Sequence, residues 1–294
     1  MPIEDNFLRV AEAKMTEHPA GSATEVEMVL MGLGGYSTEN ELGLLRSLGL
    51  SLDPDLVILN FFVGNDVTGI PIRGKVFRGR LYYEGSANPW VHLMRRSWLF
   101  LLVEKVFLAR IMPVILGRQP QALRKKQSAT HSHSVREGIS ITSTSHHAVA
   151  LRYLSIQARR MPVYLRHPDD RMQRLWREAE GYLLEFDATS RNAGIPWILH
   201  AIPSEMQVDA QVRRSVLKRL SLPAELYDFD EPQRRLHAFA RTHGITILDP
   251  LTELRTLHRP EERLYIPNNT HWNVRGNRIA GEMLADFAVE RIRE

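Results

Sequence analysis

No cysteine occurs among the 294 residues. That excludes disulfides, thiol nucleophiles, iron–sulfur clusters and cysteine zinc sites, and leaves the compartment open. An excess of one charge is also missing: 38 Lys and Arg against 34 Asp and Glu give +4 with His neutral. No basic stripe interleaved with aromatics accompanies it, so no nucleic-acid partner is expected. Long apolar runs are scarce. The most apolar stretch, Trp98 to Leu116, carries Glu104, Lys105 and Arg110 and is interrupted by Pro113. A spanning helix needs about 20 apolar residues with few charges, so this stretch reads as a buried helix. Its three charges do not gather on one face at about 100° per residue, so it is also a poor surface amphipathic helix. Met1 to Asn6 has neither a basic n-region nor an apolar h-region, and a signal peptide is not expected. No internal repeat is found.

What is present is an ordinary globular mix, 44% hydrophobic and 24% charged. That is enough apolar surface to offset the ordering entropy over one large domain, or one domain with a long insertion. The chain opens with a helical pattern at 7–17, followed by an apolar strand, Val26 to Met31. Gly32-Leu33-Gly34-Gly35-Tyr36-Ser37 leads into Thr38-Glu39-Asn40-Glu41, a capping-box pattern with Thr38 as N-cap. The helix it opens directs Leu42, Leu45 and Leu48 inward and stops at Gly49. Asp55 to Val63 is a near-continuous apolar run, the pattern of a strand buried on both faces of a parallel sheet.

From 67 to 148 this rhythm breaks, and the stretch reads as an insertion. It holds short strand-like pieces such as Arg80 to Tyr83, the expected helix at 98–116, and an expected flexible segment at 118–147. The α/β rhythm then resumes. A helix spans about 168–192, a strand Ile195 to Ala201, a helix Pro232 to His243 and a strand Ile245 to Leu248. A last helix, Val274 to Ile292, is capped by Asn273, with Ile279, Met283 and Phe287 inward. Such alternation predicts an α/β fold built on a parallel sheet, with ligands bound beyond the carboxyl ends of the strands.

Three places combine polar groups with a strand end or a helix start: Gly35 to Thr38, Gly64-Asn65-Asp66, and Asn269 to Asn273. A neutral His is a general base, and a backbone N–H with an Asn amide can hold a developing oxyanion. These are parts of an acyl-transfer site that lacks its nucleophile.

The residues around Gly35 resemble block II of the SGNH (GDSL-type) hydrolases, Gly64-Asn65-Asp66 resembles their block III, and His271 before a Gly276-containing helix resembles their block V. Glu231-Pro232-Gln233 through Asp249 also resembles the connecting segment of bacterial members. The resemblance covers about 1–66 and 163–294. It implies a three-layer, flavodoxin-like single domain over 1–294 with a long insertion after the Gly-Asn-Asp block. It also implies an esterase or lipase-like acylhydrolase acting on carbon–oxygen esters of a small molecule, lipid or glycan, with no metal or organic cofactor. Gly35 N–H and the Asn65 amide would form the oxyanion hole and His271 would be the base.

Two departures accompany it. The family's block I Gly-Asp-Ser is absent; Glu4-Asp5-Asn6-Phe7 resembles the stretch that follows it, which implies an N-terminally truncated hydrolase. Without that strand, Val26–Met31 and Asp55–Val63 would lose a common neighbour. The acid that precedes the family's histidine is replaced by Asn268 and Asn269. An Asn carbonyl can accept an Nδ1–H bond but cannot stabilise an imidazolium by charge. The competing reading is a non-catalytic SGNH-like domain with a binding or structural role.

Other readings are weaker. Gly32-Leu33-Gly34-Gly35 lacks the third glycine of a dinucleotide fingerprint, which would fall at Ser37. Ser37 at a helix start suits a cap better than a nucleophile. His131, His133, His146 and His147 lie in a polar stretch whose only carboxylate is Glu137, so they read as solvated loop rather than metal ligands. Arg95-Arg96 and Arg124-Lys125-Lys126 read as solvated charge; an anionic membrane surface is the one further contact they suggest.

Overall fold

Amphipathic helices packed on both faces of a short run of aliphatic and aromatic strands account for the architecture. The computed structural model describes residues 2–17, 26–32, 35–69, 74–77, 80–83 and 151–292. The chain divides into two units, Met1–Ile72 with His147–Glu294, and Arg73–His146.

The first unit begins with α1 (Phe7–Glu17), α2 (Thr38–Ser47) and β1 (Val57–Phe62). The described part of the second unit is an antiparallel hairpin, β2 (Gly74–Phe77) with β3 (Arg80–Tyr83). The first unit continues with α3 (Leu151–Arg160), α4 (Asp170–Asn192) and β4 (Trp197–Ile202). Then come α5 (Glu205–Val208), α6 (Ala210–Arg219), α7 (Glu231–His243), β5 (Thr246–Leu248), α8 (Leu251–Leu257) and α9 (Val274–Ile292).

Among the described residues the sheet of this unit has three strands in the order β1-β4-β5, all parallel. Val57 pairs with Trp197 and Phe62 with Ile202. Because strand side chains alternate, each strand supplies two cores. Leu59 and Phe61 of β1 and Leu199 of β4 pack with Leu45 of α2, Phe186 of α4 and Leu236 of α7. Ile58 and Ile198 point the other way and pack with Ala11 and Met15 of α1 and Leu284 of α9. Each such aliphatic or aromatic side chain, once buried, contributes about 1.5–3 kcal/mol. The mixed α/β character and the parallel sheet expected from the sequence are therefore present.

Several local expectations need correction. Val26 to Met31 is not a strand: Met28 N–H donates to Glu12 Oε1 at 2.7 Å and Met28 C=O accepts from Arg9 at 3.4 Å, so its backbone turns to α1 rather than to a sheet. The N-cap of α2 is Ser37, one residue before the expected Thr38. Its N–H and hydroxyl both meet Asn40 Oδ1, at 3.2 and 3.1 Å, so Asn40 closes the box instead of Glu41. Leu48 lies 49% exposed rather than inward, because the helix has already ended at Ser47. The expected helix at 98–116, the expected flexible segment at 118–147 and the histidines within it lie outside the described residues.

Candidate active site

Because the sheet is parallel, the carboxyl ends of β1, β4 and β5 share one edge. β1 runs into Gly64-Asn65-Asp66. Asp66 turns back, and its Oδ2 accepts the Phe62 N–H at 2.6 Å while its Oδ1 accepts an Asn65 Nδ2 hydrogen at 2.9 Å. Asn65 thus keeps one amide hydrogen for a ligand. The N–H of Gly69 donates to the Asn65 carbonyl, and Gly69 also lies beside Ser37, close enough that an added Cβ would sit 3.7 Å from Ser37 Cβ. The start of α2 and the Asn65 turn are therefore neighbours. Gly35 adopts φ +91°, a conformation open to glycine and strained for most other residues, and it is exposed.

His271 sits on a turn between α8 and α9. Tyr265 pairs with Trp272, and Ile266 N–H donates to the His271 carbonyl at 3.0 Å. The turn is fastened to the end of β4 by the buried Tyr265 hydroxyl, which donates to the Pro203 carbonyl at 2.8 Å. Asn273 caps α9 as expected, accepting Gly276 N–H at 2.9 Å. Gly276 is required by close approach, since a Cβ there would collide with the carbonyl oxygen of Leu264.

The environment of the imidazole fixes its tautomer. Asn269 Oδ1 accepts Thr270 N–H at 2.7 Å and His271 N–H at 3.3 Å, so the amide oxygen, not the nitrogen, occupies that position. The same oxygen lies 2.5 Å from His271 Nδ1. An acceptor that close requires a proton on Nδ1, which leaves the Nε2 lone pair free to take a proton. Gly35, Asn65 and His271 are thus placed on the same sheet edge. Among the described residues no hydrogen bond joins His271 to Asn65 or to Gly35.

A second polar group at this edge went unread in the sequence. Glu205, three residues beyond the end of β4, is buried and accepts the Tyr153 hydroxyl at 2.5 Å. Burial pushes its carboxyl up to about 7, with the negative charge of Asp209 adding to the rise. Asp66 is likewise held well above the ordinary carboxylate range by burial and by Glu41, against the Phe62 N–H and Arg160. Glu41 is raised to about 7 by burial. The Tyr164 hydroxyl donates to Ser204 Oγ at 2.8 Å, and the Arg160 guanidinium lies 4.9 Å from the Phe62 ring centroid. The signal for part of this was present: Ser204-Glu205-Met206-Gln207 is a capping box, and the structure forms it, with Ser204 N–H donating to Gln207 Oε1 at 2.9 Å. The partner Tyr153, 52 positions away, has no sequence signature.

Comparison with family models, with curated proteins and with solved structures finds no match to this chain. Among the described residues no group of three or more His, Asp or Glu is arranged to hold a metal ion, and no helix is long and apolar enough to cross a membrane.

Proposed function

We propose that this chain carries the oxyanion hole and the base of an SGNH-type esterase, a flavodoxin-like three-layer domain that hydrolyses or transfers carbon–oxygen esters of a small-molecule, lipid or glycan substrate. The observation that carries the reading is His271, held by Asn269 with Nε2 free, on the same sheet edge as the Asn65 amide. In this reading a serine from outside the 294 residues attacks the acyl carbon and His271 Nε2 takes its proton. The spare Asn65 amide hydrogen and the Gly35 N–H then bind the oxyanion. Asn269 orients the ring. It supplies no charge to the imidazolium, so proton transfer is less favoured than with a carboxylate.

One observation favours the competing reading of a binding domain without catalysis: Asn65 already spends one amide hydrogen on Asp66, and the ring has no anionic partner. Turnover of a short-chain aryl ester separates the two. The 294-residue chain should be slow, with at most a residual ~10³–10⁴-fold over water and no covalent intermediate. An N-terminally extended form should be fast, and His271→Ala should abolish that gain. Fast turnover by the 294-residue chain with a serine-trapping inhibitor on Ser37 would assign the nucleophile elsewhere. An extended form that His271→Ala leaves unchanged would remove the base from the mechanism.

A further inference from the structure

α4 packs by one face and, among the described residues, leaves the opposite face unpartnered. Its inward residues are Met172, Trp176, Ala179, Leu183 and Phe186. α2 flanks it on one side, where Arg46 Nε donates to Thr189 Oγ1 at 3.2 Å. α7 flanks it on the other, where Arg235 pairs with Glu180 at 2.6 Å. Between these flanks runs an outward ridge, Arg174, Arg177, Gly181, Leu184 and Ala188, spaced by three and four residues in the pattern of a helix–helix seam. Arg174, Arg177 and Ala188 are exposed, and Leu184 is 39% exposed.

Two features of this ridge have no use within one copy. The first is Gly181. Glycine weakens a helix interior relative to alanine, and a Cβ at Gly181 would meet nothing within 4 Å, so no packing inside the chain calls for it. The second is charge. Arg174 and Arg177 form no ion pair among the described residues, although Asp170 and Glu178 each stand four positions from Arg174. The acids further along α4 do have cations: Glu180 has Arg235, Asp187 has Arg191 at 2.7 Å, and Glu185 has Arg46 at 3.1 Å. The last pair is the loosest held, with the two side chains 49% and 54% exposed. The ridge is therefore basic before Gly181 and bordered by the exposed Glu185 after it.

We propose that the outward ridge of α4 is the contact face of a homodimer, in which two copies of α4 cross antiparallel about a two-fold axis at Gly181. The occupant follows from charge. A two-fold axis there lays the amino half of one ridge against the carboxyl half of the other. Arg174 and Arg177 of each copy then meet the partner's Glu185, twice over. A parallel pairing would set arginines against arginines. Gly181 at the crossing lets the two helix axes approach to the near end of the usual ~8–10 Å. Leu184 and Ala188 supply the apolar part of the contact, and the arginine stems lie over them. One helix pair buries less than a standard interface, so the dimer forms reversibly. The inference goes beyond the esterase reading and uses none of its residues.

The test is sedimentation velocity on the 294-residue chain from about 1 to about 200 μM, a range that brackets a reversible association. A monomer–dimer equilibrium is expected. Gly181→Gln finds open space in one copy but fills the crossing between two. It should raise the dimer dissociation constant at least about tenfold, while the thermal midpoint of the dilute monomer holds or rises. Arg174→Glu with Arg177→Glu should weaken the dimer by a similar factor, and so should Glu185→Arg, through like-charge contacts. All three together should restore association to within about threefold of the parent, which a loss of stability would not do. The chain has no cysteine, so Gly181→Cys supplies a single thiol. With oxidised glutathione as oxidant, two such thiols at the axis should join as a disulfide between copies, whereas Thr256→Cys, exposed and off the ridge, should not. A chain monomeric across the whole range, a dimer indifferent to Gly181→Gln and to the arginine reversals, or no disulfide through Gly181→Cys would overturn the interface. A triple charge swap that fails to restore association would overturn the antiparallel pairing. A monomer whose Gly181→Cys thiol resists a soluble thiol reagent would put another segment of the chain on the ridge instead of a second copy.

Discussion

β1 and β4 are six-residue strands of similar composition that pair in register along their whole length. β4 has neighbours on both sides, and five of its six residues are buried. Among the described residues β1 has a neighbour on one side, and only its Leu59 and Phe61 are buried. Sequence composition does not separate them. The difference lies in what stands beside each strand, and it shows that burial here follows from pairing as much as from hydrophobicity. The two strands are alike again at their carboxyl ends, where each delivers a buried carboxyl, Asp66 and Glu205, to the edge that carries Asn65 and His271.

The sharpest way to probe this contrast is to truncate one residue in each strand. Leu199 of β4 is fully buried, so Leu199→Ala should cost about 3–4 kcal/mol in urea denaturation through lost transfer energy and an unfilled cavity. Ile58 of β1 is only partly buried, so Ile58→Ala should cost about 1 kcal/mol. Equal costs would mean that the outer edge of β1 is covered as fully as that of β4.

A smaller effect tests the carboxyl ends. The Glu205 carboxyl is raised by burial from 4.5 to about 7 in the folded protein. The folded state therefore binds this proton more tightly than the unfolded state does. The stability it contributes is fully present below about pH 4.5 and is lost as pH rises through about 7. Glu205→Gln does not titrate, so parent and variant should diverge across that window. By pH 8 the variant should have gained up to about 3 kcal/mol relative to its position at pH 4, less whatever the changed bond to Tyr153 costs at all pH values. Glu41 titrates in the same range in both proteins and cancels in the difference. A pH-independent gap between the two denaturation series would show that Glu205 is not the buried acid described.

Much of the fold was readable because local signals and packing agree. α1, α4, α7 and α9 carry apolar residues at helical spacing, and their observed bounds lie within about two residues of the expected ones. β1 and β4 are dense in aliphatic and aromatic residues, which few other conformations can bury. Val26 to Met31 carries the same composition and fails as a strand because a strand is defined by its partner, and Glu12 and Arg9 of α1 satisfy Met28 instead. α3 and α6 were missed because half or more of their residues are polar, so that their apolar stripe (Tyr153 and Leu154; Val212 and Val216) is thin. Of the candidate site, Gly35, Asn65 and His271 stand out in the sequence by their place at element ends, Gly35 for its backbone and the other two for their polar side chains. The Tyr153–Glu205 contact joins distant positions and was not.

The smallest expected change concerns Asn269, and it decides whether the His271 geometry is built or incidental. The turn at 266–271 is exposed, so Asn269→Ala should shift stability by no more than about 1 kcal/mol. Its consequence should instead be read in the imidazole. In the parent, Asn269 Oδ1 accepts from two backbone N–H groups and from Nδ1, which selects the Nδ1–H tautomer of the neutral ring. Nitrogen-15 shifts of the neutral His271 ring should show one ring nitrogen protonated and the other, Nε2, as a bare lone pair. Removing the acceptor releases that selection, and in Asn269→Ala both tautomers should be populated. Asn269→Asp should keep the selection, because a carboxylate oxygen accepts the same three hydrogens. A parent ring that already averages over both tautomers would mean that the 2.5 Å contact does not order the histidine. His271 would then be a surface residue rather than a base held ready at the edge it shares with Asn65.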